Sequence, residues 1–181
     1  MSQTRGKQLS SRERLLAVLG VAGVVLLVLF LYRPVAPRPV FEDLAELAPL
    51  PDSFAVYQQR RTGDAFALYD AGQYDRFIDR VKAEISEPTQ GQLLYLGSAQ
   101  LLADRLSDAV YSLRRVVVSD DSLLVAEARW QLAQAYLRSD EAAPAQDELR
   151  HLSSRRAHRS YEATHQLSVL ETRLPDRSAA E

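Results

Sequence analysis

Two stretches of this chain match each other at a constant offset of 36 residues, and that offset restricts the fold more than any other feature. QLLYLGSAQLLADRLSDAVYSLRRV, from Gln92, aligns with ARWQLAQAYLRSDEAAPAQDELRHL, from Ala128. Leu96 then meets Leu132, Gly97 meets Ala133, Ala99 meets Ala135, Ala109 meets Ala145, Leu113 meets Leu149 and Val116 meets Leu152. A partial earlier copy lies 32 residues upstream, where Ala65, Leu68, Gly72, Tyr74, Phe77 and Val81 match Gly97, Gln100, Asp104, Leu106, Ala109 and Leu113. The spacing of apolar and small residues is helical. Gly97 and Ala133 let the first helix of a hairpin approach the second, Ala109 and Ala145 face them, and the leucines fill the space between hairpins. Gly72-Gln73, Asp104-Arg105 and Asp140-Glu141 are predicted as the hairpin turns. A lone hairpin cannot bury its apolar face, so the copies are expected to stack.

These residues resemble the tetratricopeptide repeat family, whose pattern pairs Leu with a small residue, then an aromatic, then Ala and a large apolar residue four places on. Leu132-Ala133 with Tyr136, and Ala145 with Leu149, match it. Leu96-Gly97, and Ala109 with Leu113, match except that Gln100 stands at the aromatic position. The resemblance covers about residues 63–153. Trp130 sits one place after the usual aromatic position, which Arg129 fills, the closing proline is absent, and Phe77 replaces a small residue in the first copy. Residues 157–173 read as a final capping helix with Tyr161, Leu167, Leu170 and Leu174 on its apolar side. The resulting expectation is an all-α chain: an N-terminal transmembrane helix, then a short α-solenoid of about three tetratricopeptide-like hairpins plus a capping helix, over 63–174, with 175–181 a disordered tail.

The membrane segment is predicted from Leu15 to Tyr32, LLAVLGVAGVVLLVLFLY, which no charge interrupts. Eighteen helical residues span roughly 27 Å, close to a hydrocarbon core. A cleaved signal peptide is the competing reading, but the following RPVAPRPV has no A-x-A site. Residues 1–14 form a basic tail with Arg5, Lys7, Arg12 and Arg14, whereas residues 33–46 carry only Arg33 and Arg38. That bias predicts a single-pass protein of the bacterial inner membrane, its N-terminus cytoplasmic and its C-terminal domain periplasmic. The absence of cysteine excludes disulfides, thiolate sites and a lipidated N-terminal cysteine. Residues 33–62 are read as a linker, stiffened by Pro34, Pro37 and Pro39, and an irregular lead-in. Within it Phe41 to Leu47 is expected to make one or two helical turns.

A net charge of −2 argues against nucleic acid as the main partner. The chain contains no phosphate loop, dinucleotide fingerprint, serine-elbow or H-E-x-x-H motif. His151, His158 and His165 are seven apart but lack a carboxylate pattern, so neither a metal nor a cofactor is expected. Arg150, Arg155, Arg156 and Arg159 form a basic patch, read either as a site for an acidic peptide or headgroup or as a solvated loop.

By the resemblance, the first helix of each hairpin lines a concave groove holding Phe66, Tyr69, Leu94, Ser98, Leu101, Trp130, Gln134, Leu137 and Arg138. Aromatics beside an arginine suit a binding anchor. The equal alternative is that several of them pack against the capping helix or the 41–62 lead-in. The functional expectation is a membrane-anchored scaffold or adaptor, not an enzyme, that binds a segment of another envelope or membrane protein in this groove. Its rival is a self-associating, homo-oligomeric component of an envelope or secretion complex.

Overall fold

The computed structural model describes residues 40–58, 63–154 and 158–174, with the side chains of residues 63 and 64 left aside. The predicted tail 1–14, membrane span 15–32, proline-rich linker up to residue 39 and C-terminal tail 175–181 lie outside the described residues. Among those described, no helix is long and apolar enough to cross a membrane.

The described residues are all-helical and contain no strand. Seven α-helices follow one another: α1 Gly63–Asp70, α2 Tyr74–Glu84, α3 Gln90–Leu102, α4 Leu106–Val116, α5 Ser122–Arg138, α6 Ala142–Ser153 and α7 Ser160–Arg173. They pair as hairpins α1/α2, α3/α4 and α5/α6, and α7 packs on α6. Ahead of them, 3-10 turns form at Glu42–Leu44 and Asp52–Tyr57, with extended chain between.

Local chemistry sets the ends of these helices. Thr89 and Gln92 form a reciprocal capping box at the start of α3. Asp121 caps α5 by accepting from the N–H groups of Leu123 and Leu124. All three predicted hairpin turns share one geometry. Gly72, Asp104 and Asp140 take φ of +70°, 61° and 59°. The next residue's N–H then reaches back five places, Gln73 to Leu68 O, Arg105 to Gln100 O and Glu141 to Tyr136 O, at 2.8, 2.7 and 2.8 Å. This is the Schellman closure, and aspartate is among the few non-glycine residues that enter the left-handed region readily.

Gly97 lets α3 and α4 approach as expected, but the side chain nearest it is that of Leu113, in place of the expected Ala109. A Cβ built on Gly97 would lie 2.6 Å from Leu113 Cγ and 2.7 Å from its Cδ2, so α3 and α4 close only because Gly97 has none. Ala109, Ala133 and Ala145 are fully buried at matching places. Phe77, the departure in the first copy, is accommodated: it is fully buried, 5.5 Å from the Phe66 ring and 5.4 Å from that of Tyr69.

Two expectations need correction. The capping helix begins at Ser160, and Tyr161 is exposed; Ala163, Gln166 and Leu170 make its buried side. The lead-in is not an appendage of the helical domain either. Phe41, Leu50 and Phe54 belong to the main hydrophobic core, and residues 41–58 complete that core along the first helices.

Candidate functional site

The first helices of the second and third hairpins, α3 and α5, are buried on nearly every side. Every residue from Gly91 to Leu101 in α3 is buried, whereas α4 buries only Ala109, Ser112, Leu113 and Val116. The second helices cover one side of the first helices; the lead-in covers the other.

The lead-in runs opposite in direction to α5. It begins beside Asp140, whose carboxylate accepts from Phe41 N–H at 3.2 Å. Gln166 Nε2 of α7 donates to Leu44 O at 2.6 Å. Gln134 Oε1 of α5 accepts from Glu46 N–H at 2.8 Å. Tyr69 of α1 accepts from Leu50 N–H at 2.8 Å, and its hydroxyl also pairs with Ser98 Oγ of α3. Gln134 and Gln166 further exchange amide hydrogen bonds, at 2.9 and 3.1 Å. Near the far end Tyr57 donates to Asp121 at 2.6 Å and Gln58 Nε2 donates to Tyr95 OH at 3.2 Å. Four of these contacts go to main-chain atoms of the lead-in. Chain outside regular helices carries unpaired N–H and C=O groups, and side chains projecting from the helices and the α5–α6 turn satisfy four of them here.

Apolar anchors complete the fit. Phe54 is fully buried, with its ring centroid 5.8 Å from that of His158. Tyr57 lies over Gly91, where a Cβ would come within 2.6 Å of Tyr57 Cβ. Phe66, Tyr69 and Tyr95 pack edge to face at 5.0 Å spacings.

The predicted groove residues therefore come together on one inner face, but the face is not open. Phe66, Tyr69, Leu94, Ser98, Leu101, Trp130, Gln134 and Leu137 are all buried. Arg138, at the rim, pairs with Asp104 at 2.9 Å and approaches Glu42 of the lead-in at 4.0 Å. Of the two alternatives, packing against the lead-in and the capping helix is the one that holds, because the lead-in supplies the apolar cover those side chains require.

Of the predicted basic patch, Arg150 and Arg159 are described and have separate partners. Arg155 and Arg156 lie outside the described residues. Arg150 pairs with Asp147 and Glu171 on the outside. Arg159 turns inward, its guanidinium 5.4 Å from the centre of the Trp130 ring and its Nε 3.1 Å from Glu127 Oε2. His158 Nε2 lies 2.8 Å from the same carboxylate. Burial alone pushes the Glu127 carboxyl up, but the His158 hydrogen bond and the Arg159 charge outweigh it and hold Glu127 below the ordinary value. Among the described residues, no group of three metal-ligating side chains converges.

Burial drives the Tyr69 and Tyr95 hydroxyls upward in pKa. The hydrogen bond to Asp121 raises that of Tyr57 and lowers that of Asp121. These groups are tuned to stay bonded as they are. Sequence reasoning passed over Leu50, Phe54, Gly91, Glu127 and Gln166. A signal was available: α3 carries no charged residue from Gln90 to Leu102, and a helix with no charged face is expected to be covered on most sides.

No family model matches the chain, and no curated protein and no solved structure matches it.

Proposed function

We propose that this chain is a membrane-anchored protein–protein interaction module of tetratricopeptide-like architecture, whose inner face grips an extended polypeptide and holds its own lead-in as the resident occupant. One observation carries the reading. Asp140, Gln166, Gln134 and Tyr69, from the α5–α6 turn and three different helices, bond the main chain of the lead-in, at its first 3-10 turn and along the extended stretch after it. Main-chain contacts give affinity without dictating sequence, while pockets such as that of Phe54 give selectivity. A partner segment with an apolar residue for that pocket meets the same requirements.

The resident segment sets a threshold for exchange. It joins α1 through residues 59–62 alone, and a short tether holds a tethered ligand at about millimolar effective concentration. A dilute peptide of equal intrinsic affinity does not displace it. A partner confined to the same membrane can. The anchor is residues 15–32, with the helical domain on the extracytoplasmic side of a bacterial inner membrane, as the basic bias of residues 1–14 supports. Binding rather than catalysis is favoured because the buried titratable cluster of Glu127, His158 and Arg159 is engaged within itself and with lead-in and core aromatics.

The test is a photo-crosslinking residue at position 134 of the full chain in intact cells. Crosslinks to a second envelope protein, increased by Phe54→Ala, are expected. Crosslinks only to residues 41–58, in both forms, would remove the partner from the groove. A C-terminal reporter active only after export tests the orientation. A second reading, self-association, is favoured by Tyr111 of α4 and Val118 just after it, which stand exposed.

A further inference from the structure

We infer that the outer face of α4 on one copy docks on the outward side of the lead-in of a second copy, so that the domain assembles head to tail. Large exposed apolar side chains among the described residues are few and not scattered. Val40, Leu47 and Val56 stand on the lead-in, Tyr111 and Val118 on or just after α4, and Tyr161 alone on α7. Tyr111 and Val118 are 68% and 79% exposed, and with Val110 and the stems of Arg114 and Arg115 they line one shallow apolar surface. Leu47 and Val56 are 39% and 77% exposed, whereas Leu50 and Phe54 of the same segment are buried.

The two patches are opposite in charge. Residues 40–58 contain Glu42, Asp43, Glu46 and Asp52 and no lysine, arginine or histidine. Asp43 is engaged by Arg173, and Glu46 and Asp52 make no ion pair among the described residues. The α4 patch presents Arg115, with Arg114 beside it donating to the Tyr136 hydroxyl of α5 at 3.1 Å, while the one acid of that helix, Asp108, is held by Lys82 at 3.1 Å. Arg115 lies over the Tyr111 ring at 5.9 Å and makes no ion pair among the described residues. An acidic surface bearing aliphatic side chains is the complement of a basic one bearing tyrosine and valine.

The patches lie on opposite sides of the hairpin array, because the lead-in covers the first helices and α4 is a second helix. One copy cannot bring its own two patches together, and two copies that join leave one patch of each kind open. Such a contact is heterologous and continues into a ring or a filament. It is also small. One face of the eleven-residue α4, roughly 16 Å by 10 Å, falls far short of the ~800 Å² per partner of a standard interface. Confinement at a membrane supplies the missing concentration. In that respect the inference rests on the anchor proposed above.

The absence of cysteine makes the test direct. Full-length Leu47→Cys and Val118→Cys copies are co-reconstituted in lipid vesicles and treated with a short bis-maleimide. The mixture is expected to give crosslinked dimer at about tenfold the yield of either variant alone. Arg115→Glu in the Val118→Cys copy is expected to remove that dimer, and Glu46→Arg in the Leu47→Cys copy to restore it. Equal dimer from Val118→Cys alone, or none from the mixture while both copies float with vesicles, overturns the inference. Copies that fail to float refute the anchor instead. The same mixture at high concentration without lipid then decides the contact by whether the mixed dimer forms.

Discussion

Leu50 N–H donates to the Tyr69 hydroxyl at 2.8 Å across the inner face, joining an extended strand to the first helix of the array. The same hydroxyl pairs with Ser98 at 2.8 Å, so α1, α3 and the lead-in meet at one oxygen. A surface that had looked suited to a foreign peptide is organised around the chain's own.

Tyr69→Phe keeps the ring packing and removes that oxygen. It leaves the Leu50 N–H and the Ser98 hydroxyl without this partner in a buried place, at a cost of about 1–3 kcal/mol. The substitution is also expected to change the response to alkali. Burial holds the Tyr69 pKa above its ordinary 10.0, so the unfolded chain loses the proton first. The stability tied to this group is complete below pH 10 and declines as pH rises beyond it. Urea unfolding midpoints at neutral and alkaline pH should show Tyr69→Phe less stable at neutrality and less sensitive to alkali than the parent.

Phe54→Ala empties the pocket beside His158. Losing a fully buried phenylalanine costs about 3–5 kcal/mol when the surroundings stay in place. Here the lead-in can detach first, so detachment limits the cost. Faster proteolysis within residues 45–58, with most helical signal kept, is the expected result. The single tryptophan, Trp130, is buried on the same face and should shift its fluorescence to the red. Protease resistance equal to that of the parent would show that Phe54 does not anchor the segment.

Gly97→Ala sets two effects against each other. Alanine favours a helix over glycine by about 1 kcal/mol. The new methyl would lie 2.6 Å from Leu113 Cγ, and Leu113 is fully buried with no free space to retreat into. Overpacking of this kind costs about 1–3 kcal/mol. Net destabilisation is therefore expected, largely relieved by adding Leu113→Val. A double-mutant cycle on the melting temperature measures that coupling; additive effects would contradict the close approach of α3 and α4.

Glu127 accounts for a distinct acid response. Its carboxyl sits below the ordinary 4.5 in the folded chain because His158 and Arg159 outweigh the effect of burial. The unfolded chain takes up the proton first. The associated stability is present above about pH 4.5 and is lost as pH falls through the lower folded value. Glu127→Gln keeps the shape and removes the charge. Because Arg159 and His158 are 22% and 32% exposed, solvent screens part of the loss, and about 1–3 kcal/mol near neutrality is expected. Stability measured from pH 7 down to 3 should fall less steeply in Glu127→Gln than in the parent.

The helical part was largely legible from residues in order. Gly72, Asp104 and Asp140 marked the turns, and Gly97 marked a close approach of two helices, though the residue it meets is Leu113 and not Ala109. Each of these rests on chemistry within a few residues or on a repeat that states the same packing more than once. The inner-face residues were legible as a set for the same reason. Their cover by the lead-in was legible only as one of two alternatives, because Leu50 and Phe54 lie in a stretch with no helical period and proline at positions 49 and 51.

The order of residues alone determined that hairpins form, where they turn and which faces meet, since backbone propensity and helical spacing are local properties. Tertiary structure alone decided what lies on the inner face. An extended segment makes few bonds within itself, so its place depends on side chains distant in the chain: Tyr69, Gln134, Asp140 and Gln166 meet its main chain only after the helices have stacked.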